Sequence, residues 1–359
     1  MLSSFRKDLT ELFPLLELPD EEIVKLGFGD SLVSGNSPAG LSLVELHQSY
    51  NKMRELLYEQ GKDEITGKEM PEHAGVQNDG NGNSFNKAIE LIERGKENTE
   101  RLINTLEDLI RRISALSEAT RFEPLFDNKK QLFSIGYNIE ENRLTKSYYD
   151  LFASEARQAS YIAIARGEVD KKHWFRLGRR ITMIDGYRGL VSWTGTMFEY
   201  LMPLLVMKSF ENTLLSETYD FVVKAQKKYG RQRGIPWGTS ESAYFAFDMK
   251  LNYQYRAFGV PELGLKHGLV NDMVVAPYAT LLALSIDPVA VLKNIKELIN
   301  EGMDGSYGLY EAIDYTPSRL RHGEKSAVVK SYMAHHLGMS MLALDNYLNK
   351  NIMQERFHS

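Results

Sequence analysis

From Ser147 to the C-terminus, apolar residues recur at helical spacing in one segment after another, with irregular loops rich in Gly, Trp, Tyr and acids between them. The spacing predicts helices at 147–166, 189–207, 213–229, 265–285, 288–301 and 325–348. Helices in series that carry long loops fit an all-α array of hairpins or an α/α toroid. No G-x-G-x-x-G follows a strand, and there is no Walker loop and no nucleophile elbow. Gln131 to Asn138 alternates apolar and small residues and predicts a short strand leading into this region.

The chain before about Arg143 reads differently. It is charged and rich in Leu and Ile, whereas all three Trp and most of the Tyr lie after Lys146. Helices are expected at 2–17, 41–60 and 84–117, the last capped by Ser84. Leu102, Leu106, Leu109, Ile113 and Leu116 alternate by four and three, a heptad seam whose plainer reading is packing against the main domain and whose other reading is self-association. Ala74 to Asn83, rich in Gly, Asn and Asp, reads as a flexible surface loop. The division expected is an N-terminal helical segment at 1–121 and a main domain at 122–359.

Composition narrows the function. A net charge of −5 disfavours a phosphate-binding surface, so nucleic acid is not an expected partner. The absence of cysteine removes disulfides, thiolate nucleophiles and cysteine zinc sites, and fits a reducing, cytoplasmic setting. No apolar stretch follows the first residues as in a signal peptide, and the longest apolar run, Tyr200 to Met207, is broken by Pro203. No membrane span is expected. No metal and no cofactor are expected either, because adjacent His335 and His336 point about 100° apart on a helix.

Three acids stand where acids are costly. Ser147 and Asp150 form a capping-box-like pair, and Tyr148, Phe152, Ala159 and Ile162 mark one helical face on which Glu155 also falls. A carboxylate in such a stripe needs a partner, of which Arg157 is the plain candidate, or a catalytic task. Glu199 lies in an almost uncharged segment and reads first as a buried structural acid, second as a substrate contact. Glu241 follows Trp237 in a loop punctuated by Pro236 and Gly238. It is either a first-turn acid of a helix capped by Ser240 or part of a sugar-binding rim. Aromatics and acids alternate again in Tyr310, Glu311, Asp314 and Tyr315. Aromatic faces suit pyranose C–H faces, and glycoside chemistry needs two carboxyl groups flanking the scissile bond.

Several of these segments together resemble a known family. Phe133–Asn138, Ser147–Arg157 with its Tyr148, Tyr149 and Asp150, and His173–Arg179 are similar to the glycoamylase-like cyclisation region of cyclic β-1,2-glucan synthases. So are Ser192–Pro203, which holds Trp193 and Glu199, and Pro236–Tyr244, which holds Trp237, Glu241, Ser242 and Tyr244. Leu251–Tyr255, with Tyr253 and Tyr255, and Met333–Met339, with His335 and His336, complete the match from about Phe122 onward. The resemblance implies an (α/α)6 toroid that closes linear β-1,2-glucan into a ring by retaining transglycosylation. It implies Glu241 as nucleophile and Glu155 as acid/base, the pair being firmer than the roles. The other residues just named, with Arg157, Tyr310, Glu311 and Tyr315, are the expected substrate contacts. The resemblance also implies, as partners, the glycosyltransferase and phosphorylase-like regions of a full synthase. An inverting endo-β-1,2-glucanase and a non-catalytic glucan-binding fragment remain the alternatives.

Overall fold

The computed structural model describes residues 10–19, 21, 23, 41–66 and 80–359. The chain divides into two compact units, with the division after Thr120.

The first unit is built on α1 (Leu43–Thr66) and α2 (Gly80–Ala119). Leu46, Tyr50, Met53 and Leu57 of α1 share a core with Ala88, Leu91 and Ile92 of α2, and Leu15, Leu18 and Ile23 join it. The predicted helix at 2–17 is, among the described residues, a helical turn at 10–12 followed by a 3₁₀ turn at Pro14–Glu17, because Pro14 has no N–H to continue the ladder. The loop expected at 74–83 lies outside the described residues up to 79, and 80–83 belong to α2. The seam expected in α2 is not buried: Leu102 is half-buried, and Leu106, Leu109, Ile113 and Leu116 are exposed.

The second unit is helical at its core, with β structure confined to short hairpins and one three-stranded sheet. Its helices are α3 (Ser154–Ala165), α4 (Lys172–Arg176), α5 (Met197–Leu201), α6 (Leu214–Arg233), α7 (Pro277–Leu282), α8 (Pro288–Asn300), α9 (Ala334–Leu348) and α10 (Ile352–His358). Its strands are β1 (Phe126–Asp127), β2 (Leu132–Phe133), β3 (Tyr137–Asn138), β4 (Arg143–Leu144), β5 (Ile181–Ile184), β6 (Tyr187–Leu190), β7 (Ser242–Phe247), β8 (Tyr253–Arg256), β9 (Val274–Val275), β10 (Asp304–Gly305), β11 (Gly308–Leu309), β12 (Ala312–Asp314) and β13 (Ala327–Val329), and β7 pairs with β8. The strand β12 lies between β9 and β13. Leu190, Met197, Tyr200, Leu201, Val222, Leu282 and Val291 belong to the main core. Among the described residues, no helix is long and apolar enough to cross a membrane.

The helices expected at 213–229 and 288–301 form close to those bounds, whereas the one expected to be capped by Ser84 begins at Gly80. Thr213 and Ser216 make a reciprocal capping box at the start of α6, and Gly234 ends it at φ 66°. Asp287 caps α8 through Ala290 N–H at 3.0 Å, with Pro288 in the first turn. Four other expectations are corrected. The helix expected at 147–166 begins only at Ser154, because Ser147 and Tyr148 pair back onto Ser134 and Ile135, and Asp150 accepts from Phe152 N–H to make a turn rather than a cap. In 189–207 the chain leaves a hairpin at Leu190 and becomes helical only at Met197. In 265–285 the helix is a single short element after Pro277. The predicted strand at 131–138 is split between two hairpins, Leu132–Phe133 and Tyr137–Asn138.

Candidate active site

Two loops carry the central acids. The first runs from Ser192 into α5. Thr196 Oγ1 accepts from Glu199 N–H at 3.1 Å, and the Glu199 carboxylate turns back to accept from Thr194 N–H (3.1 Å) and Ser192 Oγ (2.6 Å). The loop can lie this close to 259–264 only through glycine. A Cβ on Gly259 would stand 1.6 Å from the Thr194 carbonyl, and Gly195 sits at φ 69°. Glu199 therefore holds its own loop, the structural role that the uncharged surroundings suggested.

The second loop, Pro236–Glu241, joins α6 to β7. Its backbone is clasped from inside: Gln226 exchanges two hydrogen bonds of 2.9 Å with Thr239, and Asn294 exchanges two with Trp237, at 3.0 and 2.7 Å. This corrects the expectation for Trp237. Its ring is 8% exposed and belongs to the core, so it offers no face to a ligand. Ser240 caps no helix. It accepts from Phe198 N–H at 3.1 Å and meets the Tyr278 hydroxyl at 2.8 Å. Tyr278 donates in turn to the Glu241 carbonyl, also at 2.8 Å.

The Glu241 carboxyl stands at the end of this loop, partly buried. Burial first, and then the negative charges of Glu155 and Glu199, push its pKa up to about 7. Three acids far apart in sequence are thus within electrostatic reach of one another. Glu155 itself corrects an expectation. The buried face of α3 is Ser154, Arg157, Ser160 and Ala163, so Glu155 is exposed in the first turn rather than set in an apolar stripe. Ser154, just before it, holds φ at 34°, a left-handed conformation that a non-glycine residue rarely adopts and that concentrates at functional sites. Arg157 is also corrected. It is fully buried, donates to the Tyr200 carbonyl at 3.1 Å and lies 5.1 Å from the Phe152 ring, away from any ligand surface. Burial and the charge of Glu199 raise Asp150, with Arg157 and Arg180 opposing.

A second cluster supports β7 from behind. Glu311 accepts from Ala243 N–H at 3.1 Å and pairs with His336 Nδ1 at 2.9 Å. Asp314 accepts from Phe245 N–H at 3.1 Å and is held by Arg319 Nε at 2.7 Å. His336 stacks on Tyr278, with ring centroids 3.8 Å apart at 18°, and its Nε2 lies 3.4 Å from the Tyr255 hydroxyl. Burial, followed by the charges of Glu241, Glu311 and Glu155, raises the Tyr255 phenol, which places Tyr255 beside the same acids. A cavity of about 280 Å³ opens on the other side of His336, among Tyr278, Tyr307, Tyr310, Glu311 and Met333.

The remaining expected contacts are scattered. Trp193 is exposed on the Glu199 loop and His335 is exposed beside Phe198. Tyr148 donates to Asp127 at 2.6 Å, and Tyr149 packs on the cluster around Phe126 and Phe133. Tyr244 donates to Gln254 at 2.7 Å, while Tyr253 lies against Phe247. Ser242 is buried, and Tyr315 is packed among Val275, Leu298, Met303 and Ile313, so neither is a surface contact. Sequence reasoning missed Tyr278. Its one local signal is Pro277, which fixes the start of α7 and hence the tyrosine next to it. Among the described residues, no group of three His, Asp or Glu side chains is arranged to hold a metal.

The glycoamylase family model matches residues 147–359. The cyclic β-(1,2)-glucan synthase NdvB of Rhizobium meliloti (strain 1021) is 45% identical over 264 residues, which are 72% of this chain and 9% of that protein. The chain therefore spans about a tenth of the length of this curated relative. Among solved structures, an endo-β-1,2-glucanase from Chitinophaga pinensis, with sophorotriose and glucose, superposes with a TM-score of 0.49 at 17% identity, over 74% of this chain and 62% of the other. An endo-β-1,2-glucanase from Talaromyces funiculosus, with sophorose, gives 0.46 at 13% identity, over 88% and 60%. With more than half of its length matched by the family model, the chain belongs to the glycoamylase family.

Proposed function

We propose that this chain is the cyclising part of a β-1,2-glucan synthase, a retaining transglycosylase in which Glu241 is the nucleophile and Glu155 the acid/base. The observation that carries the reading is the Glu241 carboxyl at the end of its clasped loop, raised to about 7 by burial first and then by the charges of Glu155 and Glu199. Glu199 is committed to its loop by hydrogen bonds, which leaves Glu155 and Glu241 as the pair free to react. In the first step the Glu241 carboxylate attacks the anomeric carbon. The glycosidic C–O bond breaks and Glu155 gives its proton to the departing oxygen. In the second step the 2-hydroxyl at the other end of the same glucan attacks the glucosyl ester. Glu155 takes back the proton and Glu241 leaves as carboxylate.

Incubation with linear β-1,2-glucan tests the reaction, the expected products being glucans that resist an exo-acting β-glucosidase. Glu241→Gln is expected to abolish both ring closure and hydrolysis, since no covalent intermediate forms without the nucleophile. Glu155→Gln is expected to retain slow glycosyl transfer from substrates with good leaving groups, and azide should then yield a β-glucosyl azide. The reverse pattern exchanges the two roles, and linear products of inverted anomeric configuration would replace the reading by an inverting glucanase.

A further inference from the structure

We propose that His336 is a positioning residue that acts through two arms to hold the Glu241 carboxylate in place. The inference rests on the assignment of Glu241 made above. One arm is a buried hydrogen bond. His336 Nδ1 meets Glu311 at 2.9 Å, and Glu311 in turn accepts from Ala243 N–H at 3.1 Å, two residues beyond Glu241. The other arm is the ring stack on Tyr278, whose hydroxyl donates to the carbonyl of Glu241 itself at 2.8 Å. The backbone at the nucleophile and two residues after it is therefore tied to a single imidazole. That imidazole is 3% exposed, so it is anchored by the core and not by a ligand.

The tautomer follows from the partners. A carboxylate only accepts, so Nδ1 carries the hydrogen and a neutral ring leaves Nε2 to accept from the Tyr255 hydroxyl at 3.4 Å. Tyr255 is thereby turned toward the same acids whose charges it feels. Ser240 completes the frame, since it touches Tyr278 and also accepts from Phe198 N–H on the helix that bears Glu199. A shift of about 1 Å in a reacting group costs on the order of 100-fold in rate, which is the scale on which such a clamp matters.

Two variants separate the arms. His336→Phe keeps a ring on Tyr278 and loses the bond to Glu311. Tyr278→Phe keeps the stack and loses the hydroxyl at Glu241. Each is expected to lower kcat by about 10- to 100-fold with KM within about twofold, as befits misplacement of a reacting group. The double variant should lose less than the product of the two effects, because both act on one loop. His336→Gln, which can still donate to Glu311, should recover part of the loss. A raised KM at unchanged kcat, or additive losses, would make His336 a substrate contact or a separate structural residue and overturn the proposal.

A readout independent of turnover is the ¹³C titration of the Glu241 side-chain carboxyl, assigned by its disappearance in Glu241→Gln. Glu155 and Glu199 face this carboxyl as charges, with Tyr255, Tyr278 and Glu311 behind it. Released from its clamp, Glu241 should move toward water, and its midpoint should fall in His336→Phe by about a unit or more. An unchanged midpoint refutes the clamp. A shifted midpoint in a protein inactive on linear β-1,2-glucan would instead refute the functional reading and leave the clamp standing.

Discussion

Glu241 is held where its ionised form is disfavoured, and that has a consequence for stability as well as for chemistry. Its pKa is raised from 4.5 in an unfolded chain to about 7 in the folded one. Between those values the folded state binds more protons than the unfolded state, so stability falls as pH rises through this window and the full penalty applies above 7. A neutral glutamine removes the penalty. Glu241→Gln is therefore expected to melt a few degrees higher than the parent at pH 8, consistent with about 1–2 kcal/mol after allowance for solvent screening. At pH 4, where Glu241 is protonated in both states, the two proteins should melt together. Equal melting temperatures at pH 8 would show that the site relaxes around the charge. Stabilisation by loss of a reactive group is the usual trade between function and stability.

At the scale of elements, glycines set how closely helices and loops approach. In α2, Gly95 lies under the ring of Tyr50, and a Cβ there would stand 2.5 Å from its Cζ. Helix propensity alone favours alanine by about 1 kcal/mol. The ring cannot yield, because Tyr50 is 2% exposed and its hydroxyl donates to the Leu12 carbonyl at 2.6 Å. Overpacking of this kind costs about 1–3 kcal/mol, so the clash should win. Gly95→Ala is expected to lower the denaturation midpoint of the first unit, as read by urea unfolding, and a gain would mean that propensity dominates. The seam read from Leu102 to Leu116 in α2 is not buried: Leu102 is half-buried and Leu106, Leu109, Ile113 and Leu116 are exposed, whereas the buried contacts with α1 lie earlier, at Ala88, Leu91 and Ile92.

For the molecule as a whole, the proposed roles fix the direction of the pH profile. A nucleophile must be ionised, so kcat/KM should rise with pH through an apparent value near 7, that of the free enzyme. If Glu241 were instead the acid, the rate would fall through the same value. The measurement is the pH dependence of kcat/KM on linear β-1,2-glucan, and a descending limb near 7 with no ascending one would reverse the assignment.

Helical periodicity, capping residues and the segments shared with cyclic β-1,2-glucan synthases were legible along the chain, because each is a local property of a few neighbouring residues. The helices expected at 213–229 and 288–301 are α6 and α8 in the fold. Glu199 and Glu241 stand out in the sequence because a carboxylate in an uncharged or aromatic stretch is costly if it is buried without a partner. What the sequence could not carry was the direction in which side chains face once distant segments meet. Trp237, set among glycine and proline, reads as a rim, yet Asn294, 57 residues away, draws its backbone into the core. Glu155 reads as a member of an apolar stripe, yet pairing of 147–148 with 134–135 delays the helix and turns that position outward. Tyr278 and His336, separated by 58 positions, carry no common local pattern, and only the packing of α7 against α9 brings their rings together behind Glu241. Burial and long-range hydrogen bonds decide such questions, and both are sums over the whole fold rather than properties of a window of sequence.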